Sequence, residues 1–359
     1  MSARVMKIIR KTGYIAASMA AITLFSNAVA GAAGTSVTET GSTLIYPLFV
    51  AWIDAYGKID PNLQMKAGAT GSSAGIAQAI AKQVQIGTSD AYLSDNEAMA
   101  NPQLLNIPIA ISAQTVQVNL PEPHDSGLKL SGPVLAAIYS GKISNWDDRQ
   151  IADMNRGVSL PHHAIVPVRR ADGSGDTFIF TQFLTFSTPK WEDTIGYGTT
   201  VNWPSVSSVR TATGNQGMLD TIARTPYAVG YVGGSFVDQA TKAGLITAML
   251  ENQDGKFLLP TPSTVTAAAA ELTPRTPPDE RLTLVFAPGS DSYPLINYEY
   301  AMVSEQQTSK EAAEAIKNFL LWSISPQGGS AETFLKPVHF IALPTSIRAR
   351  SEIQIAKVH

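Results

Sequence analysis

Cysteine is absent from all 359 residues. Disulfides, thiolate metal ligands, cysteine nucleophiles and a cysteine-linked lipid are therefore excluded. Charge is sparse, with Asp, Glu, Lys and Arg together at 15%. No Lys/Arg run offers the basic face that a nucleic acid or an anionic membrane calls for. Histidine is limited to His124, His162, His163, His339 and His359. Only His162 and His163 are adjacent, and no further ligands gather round them, so neither a metal nor another cofactor is expected. Low-complexity bias is missing too. What remains is a globular composition, 44% hydrophobic, in a chain long enough for two domains with cores of their own.

Long apolar runs are also missing, and the N-terminal one is too short to span a bilayer. Arg4, Lys7, Arg10 and Lys11 precede "YIAASMAAITLF", and Ala28-Val29-Ala30 supplies a small-x-small cleavage site. This predicts a secretory signal peptide over residues 1–30, the alternative being a membrane anchor. Its removal takes four basic residues and no acidic one, leaving 22 basic against 29 acidic, a net of −7. The exported protein is expected to be free in solution, which fits a periplasm. Any anion it binds must be held by local groups rather than by the overall field.

Beyond the linker "GAAGTSVTET" the chain alternates strand, Gly/Ser turn and helix, which predicts an α/β sheet covered by helices. "GSTLIYPLFVAWIDAYG" places Leu44, Leu48, Phe49, Trp52, Ile53 and Tyr56 at helical spacing. "NLQMKAGAT" reads as a strand, "GSSAGIAQAIAKQ" as a helix, and "VQIGTSDAYLS" as a short strand and turn. "IPIAISAQTVQVNLP" and "YPLINYEYAMVS" read as two long strands, each a candidate crossover between lobes. "SGPVLAAIYSGKISNWDD" opens the second unit with a helix, and "TPYAVGYVGGSF" reads as β. Thr308 and Glu311 are expected to form a capping box before the amphipathic "AAEAIKNFLLWSI". The expected organisation is a first lobe of residues 31–113 and 297–359, a second lobe of 114–296, and crossovers near 114–121 and 293–300. Two lobes so joined would bind a ligand between them by hinge closure.

Three loops share a design: Gly41-Ser42-Thr43, Gly71-Ser72-Ser73 and Gly173-Ser174-Gly175. Each is read as following a strand and opening a helix. Singly, each is an ordinary helix cap. Together they suggest an anion site, because the first N–H groups of a helix lack partners and its dipole is positive there. Arg170 stands beside the third loop and is suited to holding an anion through two parallel hydrogen bonds. Asp90 and Asp176 repel any anion without a proton to give. Phosphate is partly protonated near neutral pH and sulfate is not, so these carboxylates would reject sulfate. Asp90 as a helix cap, Asp172 as a turn residue and Asp176 as a first-turn dipole partner are the plainer alternatives.

"TGSTLIYPLF", "GATGSSAGIAQAIAKQVQIGTSDAYLS", "GKISNWDD" and "RADGSGDTFIFTQFL" resemble, in order, the periplasmic phosphate-binding protein of the ABC-type phosphate importer. The resemblance runs over nearly the whole mature chain. It implies a two-lobe, Venus-flytrap α/β fold of the type II solute-binding class, with the first lobe made of both chain ends. It implies high-affinity binding of inorganic phosphate and delivery to a membrane ABC permease, by a monomer that is not an enzyme. Position by position it implies phosphate contacts at Thr43 (hydroxyl and backbone), the Leu44 N–H, Ser72, Asp90 as acceptor of the phosphate proton, Arg170, Ser174, Gly175 and Asp176. One branch of the family has threonine at the last position. Asp176 follows a second branch, as another acceptor. Leu44 replaces an aromatic found in some members.

Other readings compete. Gly71-Ser72-Ser73-Ala74-Gly75 matches G-x-S-x-G between a strand and a helix, with Ser73 as nucleophile and His339 as base of a periplasmic serine hydrolase. Another oxyanion, sulfate or molybdate, is a further alternative, as is a secreted adhesion protein.

Overall fold

A computed structural model of the chain describes residues 35–121 and 127–359. The expected signal peptide lies outside the described residues. The strands in chain order begin with β1 (Thr35–Gly41), β2 (Leu63–Lys66), β3 (Ile86–Ser89) and β4 (Leu104–Val118). They continue with β5 (Lys129–Leu130), β6 (Val166–Arg170), β7 (Arg210–Ala212) and β8 (Ala228–Gly233). The last are β9 (Ile246–Thr247), β10 (Met249–Glu251), β11 (Phe257–Leu258) and β12 (Ile296–Ser304). The order β2-β1-β3-β12-β4-β8-β6-β7 forms one hydrogen-bonded path, with β9 on β4. β11-β10-β5 make a small separate sheet.

β4 belongs to both halves of this path. Its residues from Leu104 to Ala113 pair antiparallel with β12, and from Gln114 to Val118 it pairs antiparallel with β8. β12 starts at Ile296, opposite Ala113. All fifteen residues of β4 are buried. A strand covered on both faces reads as a near-continuous apolar run, and that is why "IPIAISAQTVQV" stands out in the sequence.

Of the remaining pairings, β3 with β12 and β4 with β9 are antiparallel, while β1 with β2 and β3, and β6 with β7 and β8, are parallel. Parallel neighbours need crossovers, which here are helices. Tyr46–Tyr56 and Ser72–Ile80 serve one half, Gly175–Ser187 and Gly214–Arg224 the other. Helix Tyr46–Tyr56 buries Leu48, Phe49, Trp52 and Tyr56 as its spacing predicts, with Pro at its first turn, where its missing N–H costs nothing. Trp52 Nε1 donates to the Gly329 carbonyl at 2.8 Å, and Phe49 meets Phe319 of helix Lys310–Ser323. The late chain thus packs on the first helix. Helix Lys310–Ser323 is capped by Ser309, whose hydroxyl accepts from the Ala312 N–H at 3.1 Å. The expected cap at Thr308 is one residue early: Ser309 holds the extended conformation that an N-cap needs.

The consequence for function is convergence. Each parallel strand runs its carboxyl end toward a turn that starts a helix, and in such sheets ligands bind at that edge.

Candidate anion-binding site

Six of these turns and strand ends meet where the two halves touch. Gly41 ends β1, and Ser42 follows in a tight turn. Its hydroxyl accepts from the N–H groups of Leu44 and Ile45, at 3.1 and 3.3 Å, and donates to Asp90 Oδ1. The Leu44 N–H is therefore turned onto Ser42, and its side chain is buried against Gly233. The Gly41 loop does not open its helix directly, since Ile45 is the N-cap. Ser72 does open helix Ser72–Ile80, after Gly71 at φ 94°. Only glycine takes that angle without strain, and the approach is close as well, because a Cβ there would sit 2.8 Å from the Gly173 carbonyl oxygen. The Ser72 hydroxyl lies 3.3 Å from Asp90 Oδ2 and accepts from the Asp90 N–H at 3.2 Å.

From the other half, β6 ends at Arg170, which is buried. Its guanidinium donates to Asp172 from Nε at 2.7 Å and from a second nitrogen, and to Asp176 Oδ2 at 2.7 Å. Ser174 caps helix Gly175–Ser187, its hydroxyl accepting from the Thr177 N–H at 3.3 Å. Gly175 lies against the first half, where an added Cβ would stand 2.3 Å from Asp90 Oδ2 and 2.5 Å from Ser72 Oγ. Asp176, in the first helical turn, accepts from Gln114 Nε2 at 3.1 Å and Asn215 Nδ2 at 2.8 Å.

Thr43, Ser72, Asp90, Arg170, Ser174, Gly175 and Asp176 are thus brought into one buried cluster. The hydrolase pairing is not. His339 Nε2 bonds Asp238 Oδ1 at 2.9 Å, and no hydrogen bond joins His339 to Ser73 among the described residues. The Ser73 N–H instead donates to the Gly173 carbonyl at 3.2 Å, from one half to the other.

Four members were not assigned a role from sequence. Asn215 stands at the start of helix Gly214–Arg224, and its N–H and Nδ2 both donate to Thr43 Oγ1, at 3.2 and 2.9 Å. Its signal was the same strand, glycine, polar turn design in "TATGN". Ser42 belongs to the Gly41-Ser42-Thr43 loop. Asp172 reads as a turn residue, yet it is half of the clamp on Arg170. Gln114 is a polar residue in an apolar strand, which is itself a signal, since burying an amide without a partner costs free energy.

The electrostatics follow from burial. Burial alone would lower the Arg170 pKa, but its bonds to Asp172 and Asp176 more than offset this and hold it charged. Asp172 is also penalised by burial, and Arg170 outweighs that, keeping its pKa below the usual carboxylate range. Asp176 is pushed up by burial, against the pull of Arg170, Gln114 and Asn215. Asp90 is pushed up to about 7, first by burial and then by the charge of Asp176. The cluster holds one full cation against three aspartates. It can accept hydrogen bonds from an anion as well as donate to it.

This fold and cluster define a class, the solute-binding proteins of the PBP superfamily, whose domain matches residues 27–327. The chain is 32% identical over 331 residues to the phosphate-binding protein PstS of Pasteurella multocida, covering 92% of this chain and 93% of that protein. It is 34% identical over 330 residues to the phosphate-binding protein PstS of Methanocaldococcus jannaschii, covering 87% and 83%. The chain belongs to the PstS family. Its fold matches the crystal structure of the phosphate-binding protein from Stenotrophomonas maltophilia with a TM-score of 0.66, at 20% identity over 89% of this chain and 94% of that one. Among the described residues no helix is long and apolar enough to cross a membrane.

Proposed function

We propose that this chain is a receptor for inorganic phosphate, working in the periplasm and delivering its ligand to a membrane ABC permease. The observation that carries the reading is the cluster of Asp90, Arg170 and Asp176 at the meeting of two sheet halves. The halves are taken as two lobes, residues 31–113 with 297–359, and 114–296. The change of partner along β4 between Ala113 and Gln114 supports one hinge there, and the start of β12 supports the other. Opening about these strands exposes the turns to solvent, and closing buries the ligand between them.

In the closed form the hydroxyls of Thr43, Ser72 and Ser174, the N–H groups at Gly175 and Asp176 and, on leaving the Ser42 hydroxyl, the Leu44 N–H replace the water around phosphate. Arg170 gives the positive charge. Asp90 accepts the hydrogen of a P–OH group, and Asp176 accepts a second. A sulfate dianion has no such hydrogen and would leave two buried acceptors facing it. Leaving a buried polar group unpaired costs about 1–3 kcal/mol, and a repelled charge costs more. The protein binds and releases without chemistry on its ligand, and acts as a monomer.

Calorimetric titration of the mature, phosphate-stripped protein with phosphate and with sulfate tests this. One-to-one binding of phosphate with no heat from sulfate is the expected result. Sulfate binding as tight as phosphate would turn the reading to another oxyanion, and absence of both would remove it.

A further inference from the structure

β12 carries one carboxyl that the scheme above does not use. Glu299 is fully buried. Its Oε1 accepts from Ser112 Oγ at 2.6 Å and from Asn297 Nδ2 at 3.4 Å, while Oε2 has no donor among the described residues. The same Asn297 amide donates to the Asp90 backbone carbonyl at 3.2 Å. β12 also runs beside β3, with Tyr300 paired to Ser89. Glu299 and Asp90 are thereby set as neighbours, bridged by the Asn297 amide, and each carboxyl acts on the other.

Two ionised carboxylates can only accept, so this contact is favourable only if one of them carries a proton. A shared proton would also satisfy the orphaned oxygen. The surroundings say which group owns it. Asp90 takes hydroxyl hydrogens from Ser42 and Ser72, which favour its ionised form. Glu299 has one hydroxyl and one long amide contact. Burial and the adjoining Asp90 push Glu299 well above the usual carboxylate range. The other charges acting here are Asp176, which raises both, and Arg170, which lowers Asp90.

We propose that Glu299 is a positioning and specificity-determining residue of the phosphate site: as a neutral carboxylic acid it donates a hydrogen bond to Asp90, and so fixes Asp90 as an anionic acceptor for the P–OH of the ligand. This rests on the phosphate reading above. At neutral pH no proton leaves the pair. At alkaline pH the Glu299 proton passes to solvent. Two facing carboxylates then stand beside Asp176, and a dianion is repelled.

The experiment is phosphate calorimetry at pH 7.5 and 9.5, where the ligand is mainly the dianion, on the wild type, Glu299→Gln and Glu299→Ala. Ligand-free unfolding is followed over the same range. Wild-type affinity is expected to fall about tenfold or more between the two pH values, the effect of roughly one unit of pKa. Glu299→Gln donates at every pH and loses this fall, whereas Glu299→Ala cannot donate and binds weakly throughout. A Glu299→Gln protein with the wild-type fall overturns the proposal. If Glu299→Gln does not fold, Ser112→Ala decides. Removing that hydroxyl weakens the ionised form of Glu299 and moves the alkaline fall to higher pH, and a fall that does not move overturns the proposal. If the wild type binds no phosphate at any pH, the receptor reading fails, and unfolding alone judges Glu299: a smaller alkaline loss of stability in Glu299→Gln supports its proton, and an unchanged loss refutes it.

Discussion

Asn215, from the half of the sheet built on β6, β7 and β8, donates twice to the hydroxyl of Thr43 from the half built on β1, and once more to Asp176. One side chain therefore ties the two halves together and orients an acceptor of the site. Asn215→Ala removes the side-chain half of that link and leaves Asp176 short of a donor. Phosphate affinity is expected to fall about 10- to 100-fold, the weight of one or two buried hydrogen bonds at about 1.4 kcal/mol per decade. Calorimetry reads it. Asn215→Asp, which sets a further carboxylate beside Asp176, should cost more than the alanine change.

Gly175→Ala tests closure. The new methyl carbon would stand 2.3 Å from Asp90 Oδ2, closer than any non-bonded contact tolerates. The first and second halves must then stay apart. Phosphate binding should be lost, and small-angle scattering should show no compaction on adding ligand. The unfolding midpoint of the ligand-free protein should move by only a few degrees, since the clash belongs to the closed form.

Arg170→Ala leaves Asp172 and Asp176 buried with no cation between them. Breaking one partner out of a buried ion pair costs about 3–5 kcal/mol. Denaturant unfolding of the ligand-free variant should show a loss of that order, together with loss of phosphate binding. Arg170→Met in combination with Asp172→Asn and Asp176→Asn should recover stability while leaving binding absent.

The raised carboxyls predict how stability depends on pH. Asp90 goes up to about 7, and Glu39 and Glu280 up to about 8, in each case with burial as the first cause. The folded protein then holds more protons than the unfolded chain from the ordinary carboxylate range up to those values. Stability must fall as pH rises through that window, by at most about 1.4 kcal/mol per pH unit for each group. Ligand-free protein should melt at a higher temperature at pH 5 than at pH 8, and Asp90→Asn should flatten the part of the curve below pH 7. The same variant tests discrimination. An Asp90→Asn protein that binds phosphate as before and sulfate no better would remove Asp90 from proton sensing.

Ser73→Ala should leave phosphate binding within about twofold. The Ser73 link to Gly173 uses its backbone N–H, which alanine keeps. No ester turnover is expected before or after the change. An esterase activity lost with Ser73 would instead revive a nucleophilic role.

Much of this was legible in the chain itself. Strands buried on both faces are mostly apolar, so β4 and β12 could be read directly. Helix turns after parallel strands need small residues and caps, so Gly71-Ser72 and Gly173-Ser174-Gly175 marked their own places. Thr308 and Ser309 are both cap-forming, and only the backbone angles choose Ser309 as the cap before Lys310. The local pattern marks Asn215 and Asp172 only as turn residues and says nothing of what Glu299 meets. An asparagine in a turn and an aspartate beside an arginine have many uses, and a lone glutamate in an apolar strand says only that something must satisfy it.

The sequence by itself determined the secondary structure, the α/β class and the small set of turns able to hold an anion, because each depends on periodicity, conformational preference and hydrogen-bonding groups within about a dozen residues. Only the tertiary structure decided which carboxyls face each other and which hydroxyl or amide each one meets. Asp90 lies on Ser42, Ser72 and Glu299, which are 48, 18 and more than two hundred residues away in the chain. Burial and neighbouring charge set a carboxyl's proton affinity, and both are properties of the packed chain rather than of any segment of it.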